Sequence, residues 1–203
     1  MNNFLNRIKT FFKTNSDVIT PTAVLTIICI VVTLALSSAN MITAKKITEL
    51  SVKNQNDAMS KLIDADEYKA ETAVLDGETV NYHTAVKDGE NIGYIFTVDE
   101  KGYGGTVSVM TAINNDGTVA AVEIIDASNE TPGLGQNVKN SNFYTQFKGL
   151  ADNITVIRGG SANADNNEIN AVTGATISSK AVTKAVNRAL GYSAQITDKG
   201  DVS

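Results

Sequence analysis

Cysteine is almost missing from this 203-residue chain. Cys29 stands alone, so no disulfide can close within the chain, and neither a cysteine-ligated zinc nor an iron–sulfur cluster can be built from it. Histidine also occurs once, as His83, which excludes a histidine metal cluster, and no metal site is expected. Positive charge is scarce: 17 Lys and Arg stand against 22 Asp and Glu, a net charge of -5. Nucleic-acid binding needs clustered cations, so nucleic acid is not an expected partner. A redox role for such a chain requires an organic cofactor.

Charge of either sign is absent between Asp17 and Lys45. That span is rich in Ile, Val, Leu and Thr and exceeds the ~20 residues that cross a bilayer as a helix. A transmembrane helix is expected over 18–41, with Pro21 near its start, where proline does little harm. A cleaved signal peptide is the rival reading, but its apolar core would run only ~7–15 residues. Cys29 reads most simply as a small apolar residue of this helix. The arm before it, 1–17, carries Arg7, Lys9 and Lys13, with Phe4, Leu5, Ile8, Phe11 and Phe12 at roughly helical spacing. These cations nearly balance Lys45, Lys46 and Lys53 beyond the span. The N-terminal amine tips the positive-inside rule towards a cytoplasmic N-terminus and an extracytoplasmic soluble part.

After the span the periodicity is first helical. Ile47, Leu50, Met59, Leu62 and Ile63 mark a polar stalk helix over 42–66. A folded domain over 67–192 follows. Val80, Tyr82, Thr84 and Val86 alternate with polar residues, as do Ile92, Tyr94, Phe96 and Val98, then Val107, Val109, Thr111 and Ile113, with Val119, Val122, Ile124 and Ile125 next. Such alternation reads as half-buried strands. Asp88-Gly89 and Asn115-Asp116-Gly117 between the runs suit tight hairpins. The expected fold class is α+β, an antiparallel sheet flanked by helices. His83 falls on one of these strands, as a surface or sheet-edge residue without a catalytic role. Lys101-Gly102-Tyr103-Gly104-Gly105 precedes a strand, not a helix, so it is neither a P-loop nor a dinucleotide fingerprint. Two readings stay open for it: a flexible turn, or close backbone approach to a ligand with Tyr103 to stack.

Further on, a short helix is expected over Asn142–Phe147 with Asn142 as cap, a strand around Ile154–Ile157, and a polar loop from Ser161 to Glu168. Ala181, Val182, Ala185, Val186, Ala189 and Leu190 form the apolar stripe of a last helix. Ser178 or Ser179 can cap it and Gly191 can end it, leaving 193–203 as a disordered tail.

Two stretches carry candidate chemistry. Glu130-Thr131-Pro132-Gly133-Leu134-Gly135 combines a fixed φ with two glycines, which suits a strand-to-helix loop or a backbone wall against a flat ring. Thr173-Gly174-Ala175-Thr176 lies just ahead of the last helix. Free N–H groups and the helix dipole there favour an anion, with Ser178 near the helix start.

Asn170-Ala171-Val172-Thr173-Gly174-Ala175-Thr176 resembles the flavinylation motif of the FMN-binding domain family: Asp, two variable residues, Ser or Thr, then Gly-Ala-Thr. The Glu130–Gly135 loop resembles the family's flavin-ring loop. The order of anchor, stalk, glycine-rich segment, loop and motif is similar to that of the G subunit of Rnf complexes, and the related C subunit of the Na⁺-pumping NADH:quinone oxidoreductase is longer. The resemblance implies FMN joined by a phosphodiester to Thr176, placed there by a flavin transferase that uses FAD. Glu130, Thr131, Pro132, Gly133, Leu134 and Gly135, with Thr173, Gly174, Ala175 and Ser178, would line the cofactor. Asn170 departs from the motif's Asp, at the position tied to transferase recognition. The implied function is an electron relay in a membrane-bound ferredoxin:NAD oxidoreductase complex coupled to Na⁺ or H⁺ translocation. Its partners would be the flavin- and iron–sulfur-containing subunits of that complex. A flavoprotein of another extracytoplasmic electron-transfer chain, or an anchored binding module without redox chemistry, are the alternatives.

Overall fold

The computed structural model describes residues 21–22, 24–34, 36–37 and 56–200. The chain divides into two units, Met1–Asn54 and Gln55–Ser203. In the first, residues 24–34 are helical (α1) and exposed. Among the described residues no helix is long and apolar enough to cross a membrane. The span expected over 18–41 is only partly described, and the arm before residue 18 and most of the stalk lie outside the described residues.

The second unit is built on a five-stranded antiparallel meander in the order β1–β2–β3–β4–β5. The strands are β1 (Glu67–Leu75), β2 (Glu78–Lys87), β3 (Glu90–Lys101), β4 (Thr106–Asn114) and β5 (Val119–Asp126). The four alternating runs are β2 to β5. The first hairpins turn at Asp76-Gly77 and Asp88-Gly89, where both residues of each pair have positive φ, as a two-residue hairpin with strand-matched twist requires. Strand β1 carries Glu67, Lys69 and Glu71 on a mostly exposed edge. It lacks a buried face and so shows no apolar alternation, which is how charged edge strands avoid pairing with other chains.

Alternation puts a different core on each face. On one, Phe96, Val98, Val107, Val109 and Ile113 are buried against Val182, Ala185, Val186 and Ala189 of α4 (Thr176–Gly200). Alanines along that stripe let the helix lie close to β3 and β4. On the other face Ile95, Met110 and Ala112 meet Met59 and Leu62 of a short helix, α2, over 56–62. The end of the expected stalk helix is thus part of the folded unit. His83 pairs with Ala70 on one side and Ile95 on the other. It is therefore inside the sheet and not at its edge; burial lowers its pKa below the ordinary 6.5.

Two further expectations change. The short helix starts one residue early: α3 is Ser141–Tyr144, Asn140 stands at the cap position, and a 3₁₀ turn completes it at Thr145–Phe147. Phe143 and Phe147 meet edge to face in the core, 5.7 Å apart. Gly191 does not end α4, and the residues expected as a tail continue it to Gly200. A glycine stops a helix by adopting positive φ, and Gly191 does not. Contacts made beyond it hold the helix on: Tyr192 is buried, Ile196 packs on the core, and Gln195 donates to Asp76 at 2.9 Å. The strand expected around Ile154–Ile157 is β6 (Thr155–Ile157), and it pairs in parallel with β7 (Glu168–Asn170).

Glu100 ties α4 to the sheet. Only 7% exposed, its carboxylate accepts from Lys184 Nζ at 2.7 Å and Arg188 Nη1 at 3.0 Å. Burial pushes its pKa up, but the two cations outweigh burial and hold it below 4.5. A depressed carboxylate stabilises the fold above its unfolded pKa, and this contribution is lost as pH falls through the folded value. Glu100→Gln should cost on the order of 1 kcal/mol at pH 7. It should also flatten the loss of stability as pH falls from about 5 to about 3. Urea midpoints measured across that range check both; an unchanged slope would remove Glu100 from the acid response.

Candidate flavin site

Two turns built alike set the walls of a cavity of about 450 Å³. In the first, Leu134 N–H donates to the Thr131 carbonyl at 3.2 Å, with Pro132 second and Gly133 third at φ 75°. In the second, Ala175 N–H donates to the Val172 carbonyl at 3.0 Å, with Gly174 third at φ 76°. This bond and this positive φ are those of a type II turn, which favours proline second and glycine third. Gly133 and Gly174 are therefore backbone requirements. The turns touch, since a Cβ on Gly174 would press on Leu134 Cδ2.

Glu130 sits beneath the cavity, 2% exposed. Its Oε1 accepts from Gly104 N–H at 3.0 Å and its Oε2 from the Ser178 hydroxyl at 2.5 Å. A buried carboxylate is tolerable only when hydrogen-bonded in this way. Gly102 and Gly135 pack directly on its two oxygens, where any Cβ would collide. The Lys101–Gly105 stretch is thus a close-packed turn, closed by Gly102 N–H to Gly105 at 2.7 Å. Its Tyr103 is 71% exposed and lines the cavity.

Helix α4 begins at Thr176, earlier than a cap at Ser178 or Ser179 would set it. Ser178 is turned to Glu130. The Ser179 hydroxyl instead accepts from Val172 N–H at 3.0 Å and donates to the Ala175 carbonyl at 3.0 Å. The first bond into the helix is Ser179 N–H to Ala175, so the N–H groups of Thr176, Ile177 and Ser178 precede it and are free of helical partners. Thr176 is half-buried and lines the cavity at this end.

Of the residues expected at the cofactor, Glu130, Thr131, Leu134, Gly135, Gly174, Ala175, Thr176 and Ser178 line the cavity. Pro132, Gly133 and Thr173 do not; they form the turns that aim their neighbours. Asn170 is also outside it. On β7 it donates its N–H to Gln146 Oε1 at 2.8 Å, and its Oδ1 accepts from Ala162 N–H at 3.3 Å, holding the 158–168 loop. Arg158 and Ile177 join the lining, and sequence reasoning misses both. Arg158 stands right after β6, and the signal for it is topological: parallel strands end on the same side, so the residue after β6 comes beside the segment after β7.

The residues fit a flavin phosphate. The volume is in the range of small-molecule sites, the walls include glycine backbone and the apolar side chains of Leu134, Ala175 and Ile177, and both Arg158 and the first residues of α4, with their free N–H groups, border the cavity. Comparison with known proteins agrees. Residues 102–191 match the FMN-binding domain family. The chain is 36% identical over 180 residues to the G subunit of the proton-translocating ferredoxin:NAD(+) oxidoreductase complex of Clostridium ljungdahlii, covering 88% of this chain and 92% of that protein. It is 43% identical over 91 residues to the G subunit of the Na(+)-translocating complex of Acetobacterium woodii, which covers 44% of this chain and 42% of that protein. The crystal structure of Shewanella oneidensis NqrC shares the fold, with a TM-score of 0.55 at 19% identity over 70% of this chain and 73% of that one. Matched along nearly the full length of a relative, the chain belongs to the G-subunit family of ion-translocating ferredoxin:NAD oxidoreductase complexes, with an FMN-binding domain.

Proposed function

We propose that the chain is the electron-relay subunit of a membrane-bound ferredoxin:NAD oxidoreductase complex that moves Na⁺ or H⁺, with FMN joined through its phosphate to Thr176. The observation that carries this is the position of Thr176: first residue of α4, half-buried, and at the end of the cavity where backbone N–H groups are free. The other hydroxyls of the first helical turns are already taken, Ser178 by Glu130, Ser179 by Ala175 and Thr183 by the Ser179 carbonyl. A phosphodiester at Thr176 keeps one negative charge, which the helix N-terminus stabilises.

FMN supplies one-electron transfer, and the protein sets its position and surroundings. Leu134, Ile177 and Tyr103 are apolar or aromatic and exposed, at 45%, 52% and 71%, so a ring system lying in the cavity would cover them. Glu130 and Gly135 contribute to the wall that the ring would face. Covalent attachment makes a dissociable cofactor permanent, which matters outside the cytoplasm. We place the domain there, behind a single membrane helix at 18–41 with the N-terminus inside. The partners are the other subunits of the complex, and a flavin transferase is needed for maturation.

Thr176→Ala should abolish covalent flavin when the chain is expressed with the transferase, while Thr173→Ala retains it. In-gel flavin fluorescence after denaturation reads this directly, with circular dichroism unchanged in both variants. A fluorescent Thr176→Ala band would place the attachment elsewhere.

Glu130→Ala should strip two donors of their acceptor and open the floor of the site. Stability should fall by about 2 kcal/mol, with a severalfold lower flavin-to-protein ratio. Glu130→Gln, which keeps the shape and one acceptor, should recover much of both. Denaturation curves and flavin absorbance check this, and full flavin loading of Glu130→Ala would contradict it.

A further inference from the structure

Arg158 is the one cation among the residues that line the cavity. The cations of the described ion pairs are Lys69, Lys87, Lys184 and Arg188, so Arg158 is in none of them. The nearby carboxylate of Glu130 is already engaged by Gly104 and Ser178. Among the described residues the guanidinium therefore has no protein anion to satisfy it, although the site it borders is lined by the buried Glu130 carboxylate and stands in a chain of net charge -5. A second anion would enter that site against repulsion unless a cation faced it.

Topology sets where Arg158, an exposed residue, leaves the sheet. Ile157 and Asn170 are register partners in the parallel pair β6–β7, and Ala171 N–H donates to the Ile157 carbonyl at 2.9 Å. The chain leaves β6 as Arg158 and leaves β7 as the segment that runs through Gly174 to Thr176. Both exits are on the same side, so the guanidinium and the start of α4 border one cavity. Gly159, at φ 61°, then turns the chain away. Guanidinium and free helix N–H groups both recognise phosphate oxygens.

We infer that Arg158 is the phosphate-binding residue of this site: it pairs with the flavin phosphate opposite the N-terminus of α4 and makes the cavity select a phosphorylated flavin over the uncharged one. This rests on the reading of the cavity as a flavin site with Thr176 as its attachment point. Arg158 binds and positions the phosphate; it takes no part in electron transfer.

The test compares FMN with riboflavin, which differ only in the phosphate. The probe is the full chain in detergent, carrying Thr176→Ala and made without the transferase, titrated with each flavin by fluorescence quenching. FMN should bind about tenfold more tightly than riboflavin, the worth of one charge-assisted hydrogen-bonded contact. Adding Arg158→Gln should bring the two affinities within about twofold, leaving riboflavin binding unchanged, and Arg158→Lys should keep part of the preference. A fold defect would weaken both flavins alike, so the ratio isolates phosphate recognition. An unchanged ratio in Arg158→Gln, no FMN preference in the parent, or binding of neither flavin would each overturn the inference. Failure of the underlying reading shows separately, as the absence of any flavin adduct on the wild-type chain co-expressed with the transferase.

Discussion

The site depends on one buried carboxylate. Glu130 receives an N–H from the β3–β4 turn and a hydroxyl from the first turn of α4, while its own backbone opens the loop to Gly135. Three segments far apart in sequence are thus joined at one side chain. Desolvating a carboxylate is costly, and these two bonds offset that cost only when all three segments are in place. Gly135, which leaves room for Glu130, also lines the cavity. Rigidity at the floor and an open cavity over it have a common origin.

Around this joint the two sheets have separate roles. The meander and α4 make the main core and fix the direction in which α4 starts, with Glu100 clamping Lys184 and Arg188 further along the helix. The small parallel pair β6–β7 makes little core of its own. Its contribution is geometric: it delivers Arg158 and the Thr173–Thr176 turn to the same end of α4. The start of α4, Arg158 and Thr176 thus border one cavity, which Tyr103, Leu134 and Ile177 also line.

Much of this is legible in the residues. Strands β2 to β5 each have one strongly apolar face, and period-two alternation exposes such strands. The Glu130–Gly135 stretch stands out because proline and glycine at fixed offsets are turn chemistry, and Thr173–Thr176 because small residues between two hydroxyls lie just ahead of a helical stripe. What stays hidden does so for physical reasons. Strand β1 is a charged edge and lacks the pattern. Gly191 resembles a helix stop because composition cannot show the tertiary contacts of Tyr192, Gln195 and Ile196 that carry the helix on. The family resemblance puts Glu130 in a ring-contact loop; its bond to Ser178, 48 residues away, emerges only with the fold. Arg158 depends on the parallel pairing, which no local pattern reveals.

The central claim is that the cavity at the start of α4 holds FMN by a bond to Thr176. Peptide mass spectrometry of the chain purified from its native membranes tests it most directly. The peptide containing Thr176 should be heavier by one FMN less one water, with fragmentation assigning the added mass to that threonine. A native peptide at its unmodified mass, or a flavin adduct on another residue, would contradict it.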